Sequence, residues 1–330
     1  SVDATLRGSG AACFAIDQIA AGRARNAFCA VRPPGHHAEQ STAMGFCLLN
    51  HVAVAAHHAM ASGAAERVAI VDFDVHHGNG TQSIFESTPD VLFVSSHQIP
   101  LYPGTGHRGE TGCGNVLNLP LSPGDGSETF RSAWREYGLA RVADFRPDLV
   151  LVSAGFDAHE RDPLGQLRLQ DDDYFWITAE LREIAERWCD GRIVSLLEGG
   201  YDLGMLGELV ERYLTGLAGG GGAGGTGGTG GVAGGGAGTS SVRRMTGGST
   251  GRPDATSVSS AAIAMCGTLM TVNAVLSAQK FFARGEDSHE FVFTSCQEAL
   301  TAFADRVPQM VELVKAITIA ELEVENRYKE

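Results

Sequence analysis

The stretch RVAIVDFDVHHGNG, residues 67–80, decides the fold class. Its first nine residues, dominated by valine, isoleucine and alanine, are read as a strand over 67–75 buried on both faces, the kind found in parallel sheets. Side chains alternate along a strand, so Asp72, Asp74 and His76 project to one face while Phe73, Val75 and His77 project to the other. Two carboxylates and an imidazole thus gather at the C-terminal end of a strand, where open α/β sheets place their ligands. Close carboxylates in a partly buried site repel, and one of them takes up a proton unless a cation stands between them. The stretch therefore predicts an α/β protein with a divalent-cation site at the carboxyl edge of its sheet.

Runs of the same kind follow at VLFVSSH (91–97), DLVLVSAG (148–155) and RIVSLLEGG (192–200). Between them, CLLNHVAVAAHHAMAS (47–62), SETFRSAWREYGLARVADF (127–145) and DDDYFWITAELREIAERWC (171–189) predict helices, the last two behind Ser or Asp in capping positions. The alternation of strand and helix from about Ala11 to Leu217 is that of a parallel sheet covered on both faces. Two of the strands end in partners for the 67–80 stretch, Asp157 just past one and Tyr201 just past another. Asp74, His76 and Asp157 would make a set of nitrogen and oxygen donors with an open fourth position, the arrangement of a catalytic zinc. Helix capping explains any single acid at a strand end more simply. It does not explain three acids with a histidine two residues on.

Composition narrows the partners. Of 330 residues 43% are hydrophobic, enough for a large core in one or two domains, and the formal net charge of −14 excludes binding to nucleic acid by neutralising phosphates. A basic partner suits that field better. Seven cysteines without a C-x-x-C pair read as reduced thiols of an intracellular protein, and SVDATLRGSG at the start carries no signal-peptide pattern. Residues 218–257 are rich in Gly, Ser and Thr and read as a flexible linker between a domain at 1–217 and a helical segment at 258–330. No charge lies between Asp254 and Lys280, but Asn273 and several hydroxyl residues favour a helical tail over a membrane span. His51, His57, His58, His107 and His159 are read as structural or solvated.

RPPGHHA (32–38), DFDVHHGNGTQ (72–82), YPGTG (102–106), SAGFDAHERDPLG (153–165) and EGGYDL (198–203) occur in the order and spacing of one family. From Ala11 to Leu206 the chain resembles the zinc-dependent histone deacetylases and their bacterial deacetylase-like relatives; Asn79 and Leu164 resemble the class II branch. The resemblance implies the three-layer arginase/deacetylase fold, a central parallel sheet of about eight strands, and one zinc per chain on Asp74, His76 and Asp157. It implies that His36 and His37 flank the attacking water. His36 is then backed by Asp72, whose carboxylate favours the imidazolium, and His37 faces the neutral Asn79. That contrast makes His37 the general base and then acid, with His36 an electrostatic neighbour. Tyr201 matches the tyrosine that donates to the acetyl carbonyl, Phe46 and Tyr102 the aromatic walls of a lysine tunnel, and Gly45 a backbone carbonyl for the substrate amide. Gly199, Gly200 and Leu164 fall at the substrate side of the same motifs. Ser95, with backbone oxygens around Asp72, Asp74 and His76, matches a potassium site.

The implied activity is hydrolysis of N-acetyl-lysine in an acetylated protein or peptide, releasing acetate. An acetylpolyamine or other small-molecule amidohydrolase is the alternative, and a non-catalytic module that binds acetyl-lysine is a third reading. Leu164, where a polyamine enzyme is expected to carry an acid, leans toward peptides. The family has more than 35 residues before its tandem histidines, including its first strand and part of the tunnel rim. An uncovered sheet edge is therefore expected. Oligomeric state is left open, as is the choice among cytoplasm, nucleus and organelle.

Overall fold

The computed structural model describes residues 2–219 and the backbone of 261–262. Seven strands form one sheet: β1 (Asn26–Cys29), β2 (Val68–Asp72), β3 (Val91–Gln98), β4 (Val116–Leu121), β5 (Leu149–Ala154), β6 (Ile193–Leu197) and the two-residue β7 (Ala261–Ala262). Every pairing is parallel, in the order β4-β3-β2-β5-β6-β1-β7. From β2 the chain steps outward to β3 and β4, then returns to lay β5 on the other flank of β2. That reversal opens a crevice beyond the carboxyl ends of β2 and β5, the usual ligand position of such sheets.

Helices cover both faces. On one side lie α1 (Val2–Ala20), α2 (His51–Ala61) and α3 (Asn79–Phe85), whose Ile16, Val52, Ala56 and Phe85 share a core with Val68 and Ile70 of β2. On the other, α4 (Ser127–Ala133), α5 (Leu139–Phe145), α6 (Asp171–Trp188) and α7 (Leu206–Ala218) pack Phe130, Val142, Leu181 and Tyr213 with Ala69 and Val71 of the same strand. Alternate residues of β2 thus feed opposite cores, which is why its sequence is apolar without a break.

Four expectations are corrected. The strand read as 67–75 ends at Asp72, because the Asp72 carboxylate accepts the Asp74 N–H at 3.1 Å and the Asp74 carboxylate accepts the His76 N–H at 2.9 Å. These side-chain bonds bend the backbone out of the ladder. The helix read as 47–62 starts only at His51, where Asn50 caps it by accepting the Ala53 N–H at 2.9 Å. The helix read as 127–145 is interrupted by a π-turn at Trp134–Gly138; a Cβ on Gly138 would strike the Trp134 ring, which is itself buried with its indole N–H on Ser96. The tail read as helical at 258–330 enters the sheet at Ala261–Ala262, paired with Asn26 and Ala27; this short strand partly covers the β1 edge. The rest of that segment, and the linker beyond Gly219, lie outside the described residues. Gly219, at φ +80, caps α7. Among the described residues no helix is long and apolar enough to cross a membrane.

Candidate active site

The loops after β2, β5 and β6 meet over the crevice. Asp74 and Asp157 approach His76 from two sides, their carboxylate oxygens 3.0 and 3.1 Å from its Nδ1. One potential ligand atom from each of the three lies within 4.8 Å of the others, and all three residues are buried. Each acid is also anchored by backbone: Asp157 accepts the Val75 N–H at 2.9 Å, and Asp74 accepts the Gly199 N–H at 2.7 Å. A Cβ on Gly155 would collide with Asp74, and one on Gly199 with both acids, so glycine at these positions leaves the carboxylates room to converge. Burial and the negative charge of Asp74 push Asp157 up to about 7. Burial opposes charge on His76, yet its bonds to Asp157 and Asp74 hold it well above the usual imidazole range. Protons thus sit where a cation would compete with them, and two carboxylates with an imidazole are the donor set of a divalent metal.

The tandem histidines lie on a turn beside this triad, their rings 4.1 Å apart. His36 Nδ1 meets the Asp72 carboxylate at 2.9 Å. Burial works against its charge, but Asp72, Asp74 and Glu198 outweigh it and raise its pKa to about 10. His37 Nδ1 meets Asn79 Oδ1 at 2.8 Å, and Asn79 turns that oxygen toward the ring because its amide N–H₂ donates to Glu39 at 2.9 Å. His37 is therefore the Nδ1–H tautomer, with the lone pair on Nε2 uncommitted to that bond. Burial first, then the charges of His36 and His76, keep its pKa well below the ordinary value. One buried histidine is cationic and its neighbour neutral, as their partners Asp72 and Asn79 imply.

A cavity of about 470 Å³ opens onto both histidines, Asp74 and His76. Phe46, Tyr102 and Tyr201 line it, with Gly45 and Gly199. Gly45 and Phe46, at φ +54 and +63, form the centre of a tight turn closed by paired Met44 and Cys47 backbone bonds. Positive φ at both central positions suits glycine, while Phe46 bears a cost there, and such strain is found at ligand sites. Leu164 is buried and does not line the cavity, and Gly200 lies behind Tyr201 with its carbonyl on Arg32 at 2.9 Å. Ser95 stands opposite Asp72 on β3 and donates its hydroxyl to His97 at 2.9 Å. None of His51, His57, His58, His107 and His159 lines the cavity; His51 bonds Ser9 and the Pro33 carbonyl, and His58 and His159 pair with Asp17 and Asp171.

Two buried acids escaped the sequence reading. Glu198 accepts the N–H groups of Gly35 and His36 at 2.7 and 3.2 Å and the Ser153 hydroxyl at 3.0 Å, fixing the tandem-histidine turn. Asp162 accepts the N–H groups of Tyr201 and Asp202. Both sit inside the quoted motifs EGGYDL and HERDPLG, which was the available signal.

Residues 1–217 match the family model of the histone deacetylase domain. The chain belongs to the histone deacetylase family. Among relatives of this chain, histone deacetylase 10, chloroplastic, of Oryza sativa subsp. japonica is 46% identical over 187 residues, covering 56% of this chain and 42% of that protein. The histone deacetylase-like amidohydrolase of Pseudomonas aeruginosa is 45% identical over 198 residues, covering 58% and 52%. The chain spans about half the length of these relatives. The crystal structure of the HDA15 HD domain is similar at a TM-score of 0.63 and 41% identity, over 66% of this chain and 62% of that one. The three-layer arginase/deacetylase fold and membership of a deacetylase and amidohydrolase family stand on these matches together with the parallel sheet.

Proposed function

We propose that the chain hydrolyses the acetyl amide of N-acetyl-lysine in proteins, with one zinc ion held by Asp74, His76 and Asp157. Bound there, zinc polarises an amide carbonyl and makes water a stronger acid. The chain's own residues do the rest. His37, neutral with Nδ1–H engaged by Asn79, takes the proton of the attacking water on Nε2 and delivers it to the departing amine. His36, held as an imidazolium by Asp72, favours the negative charge that develops beside it. Tyr201 donates its hydroxyl to the carbonyl oxygen, Phe46 and Tyr102 grip the methylene stem, and the Gly45 carbonyl and Gly199 border the amide.

The observation that carries this reading is the pairing of a histidine bonded to the Asp72 carboxylate with one bonded to the neutral Asn79 amide at the floor of an aromatic-walled cavity. Apart from Asp74 and the histidines, every residue lining that cavity is uncharged. A neutral acetyl-lysine stem fits such walls better than a cationic polyamine, which would ask for an acid at the mouth.

Potassium is proposed at the end of β2, among Asp72, Asp74, His76 and Ser95. Residues 1–217 are proposed as the catalytic domain, 218–257 as a linker and 258–330 as a C-terminal segment that is helical outside Ala261–Ala262. Acetylated protein is the proposed partner in an intracellular compartment, organelles included, since the rice relative is named as chloroplastic.

The test is turnover by the zinc-loaded chain on an acetyl-lysine peptide and on acetylputrescine. Preference for the peptide, with His37→Ala losing more than His36→Ala, is expected. Preference for acetylputrescine, turnover of neither, or the reverse order of the two variants would overturn the substrate, the activity or the assignment of roles, respectively.

A further inference from the structure

Tyr201 sits on a segment, Gly200–Asp202, that belongs to no strand or helix. Its backbone N–H donates to Asp162 at 2.7 Å. The same Oδ2 receives the Asp202 N–H at 3.3 Å, and Oδ1 receives the Leu164 N–H at 3.0 Å. Asp162 is 7% exposed, and these three backbone amides are the partners of its carboxylate. Two arginines brace the segment from outside: Arg32 donates to the Gly200 carbonyl at 2.9 Å, its guanidinium 5.5 Å from the Tyr201 ring centre, and Arg161 meets Asp202 at 3.1 Å.

We propose that Asp162 is a positioning residue for the reaction, setting where the Tyr201 hydroxyl lies relative to the substrate carbonyl. The proposal rests on Tyr201 being the donor to that carbonyl. Three N–H groups converge on two oxygens, so the position asks for a side chain that only accepts. Asparagine, nearly the same shape, must turn its N–H₂ against at least one of them. Asp162 also follows Asp157 on one loop, so the loop that supplies a metal ligand also fixes the phenol on the next. A displacement near 1 Å at a catalytic group costs about 100-fold in rate.

The experiment is a double-mutant cycle in the full zinc-loaded chain. Asp162→Asn, Tyr201→Phe and the double variant are assayed on an acetyl-lysine peptide and its trifluoroacetyl analogue, with zinc content measured on each. Asp162→Asn is expected to lower kcat about 30- to 100-fold with KM changed by less than about threefold and zinc retained. In the Tyr201→Phe background the same change should cost less than about threefold, since the group it positions is gone. The electron-poor trifluoroacetyl carbonyl needs the phenol less, so the loss there should be about tenfold smaller. Asp162→Glu keeps both acceptor oxygens on a longer stem; if Asp162→Asn does not fold, the same cycle read on Asp162→Glu decides. Equal fold-losses in both backgrounds, or on both substrates, would overturn the proposal while leaving Tyr201 in its role. Full activity of Tyr201→Phe would overturn the reading of Tyr201 and the proposal with it.

Discussion

His97→Gln should flatten the acid side of the stability curve. His97 lies in β3, fully buried, with its ring centre 4.6 Å from that of His77. Its Nε2 donates to the Gly106 carbonyl and its Nδ1 accepts from Ser95, both at 2.9 Å, so the neutral ring is satisfied and a second proton has nowhere to go. Burial is the main cause of a pKa lowered to about 4; the Gly106 bond and Glu110 pull it up, His107 and His36 push it down. In the unfolded chain the same ring titrates near 6.5. Below that pH the unfolded chain binds a proton that the folded chain refuses until about pH 4. The folded-state pKa is depressed, so His97's contribution to stability is present above about 6.5 and drains away as the pH falls toward about 4. The loss runs at about 1.4 kcal/mol per pH unit, about 3 kcal/mol in all. Glutamine keeps an N–H within reach of Gly106 and titrates nothing. Urea unfolding followed by tryptophan fluorescence from pH 7.5 to 4.5 should find the variant less stable at neutral pH and the gap closing by about 3 kcal/mol at the acid end. A gap that stays constant across that range would show that His97 is not buried neutral, and the reasoning would fail.

Gly199→Ala should expel metal without unfolding the sheet, because the new Cβ lands against the carboxylates of both Asp74 and Asp157. Zinc affinity in a competition titration against a chromophoric chelator should fall by at least about tenfold with the circular dichroism unchanged, and unaltered affinity would count against the triad as the metal site. Asn50→Ala removes the cap of α2 and also the amide that donates to Ala38 and Thr81 at 3.2 and 3.1 Å. A lost cap and buried acceptors left without a donor together cost about 3 kcal/mol, read as a lower urea midpoint at constant slope; a loss under about 1 kcal/mol would mean that the turn relaxes around the gap.

The parts of this fold that can be read from sequence are those whose local pattern and final environment agree. β3, β5 and β6 each open on an apolar run, and both faces of each are buried. β1 has four residues, too few to show a period, and α1 begins with Gly8, Ser9 and Gly10 within its first three turns. What holds that helix is tertiary: Ser9 bonds His51, and Gly8 lets the same ring approach so that a Cβ would lie 3.0 Å away. The site divides in the same way. Asp74, His76 and Asp157 stand out in the sequence because those side chains suit a metal, and the structure brings them together, although through a bent loop and not through strand alternation. Glu198 and Asp162 do no chemistry that a motif would advertise: each accepts backbone N–H groups from a loop distant in the chain, with the Ser153 hydroxyl added for Glu198 and the nearby Leu164 N–H for Asp162. Asp157 holds Val75, Asp162 holds Tyr201, Glu198 holds His36, and Asp72 holds both the His36 ring and the Asp74 backbone. The segments that bring His36, His76 and Tyr201 are thus each fixed by an acid carried on another element, and that of Asp74 by the acid at its own strand end. Such a chain of restraints exists only once the loops have met, so the sequence displays its members without displaying the links between them.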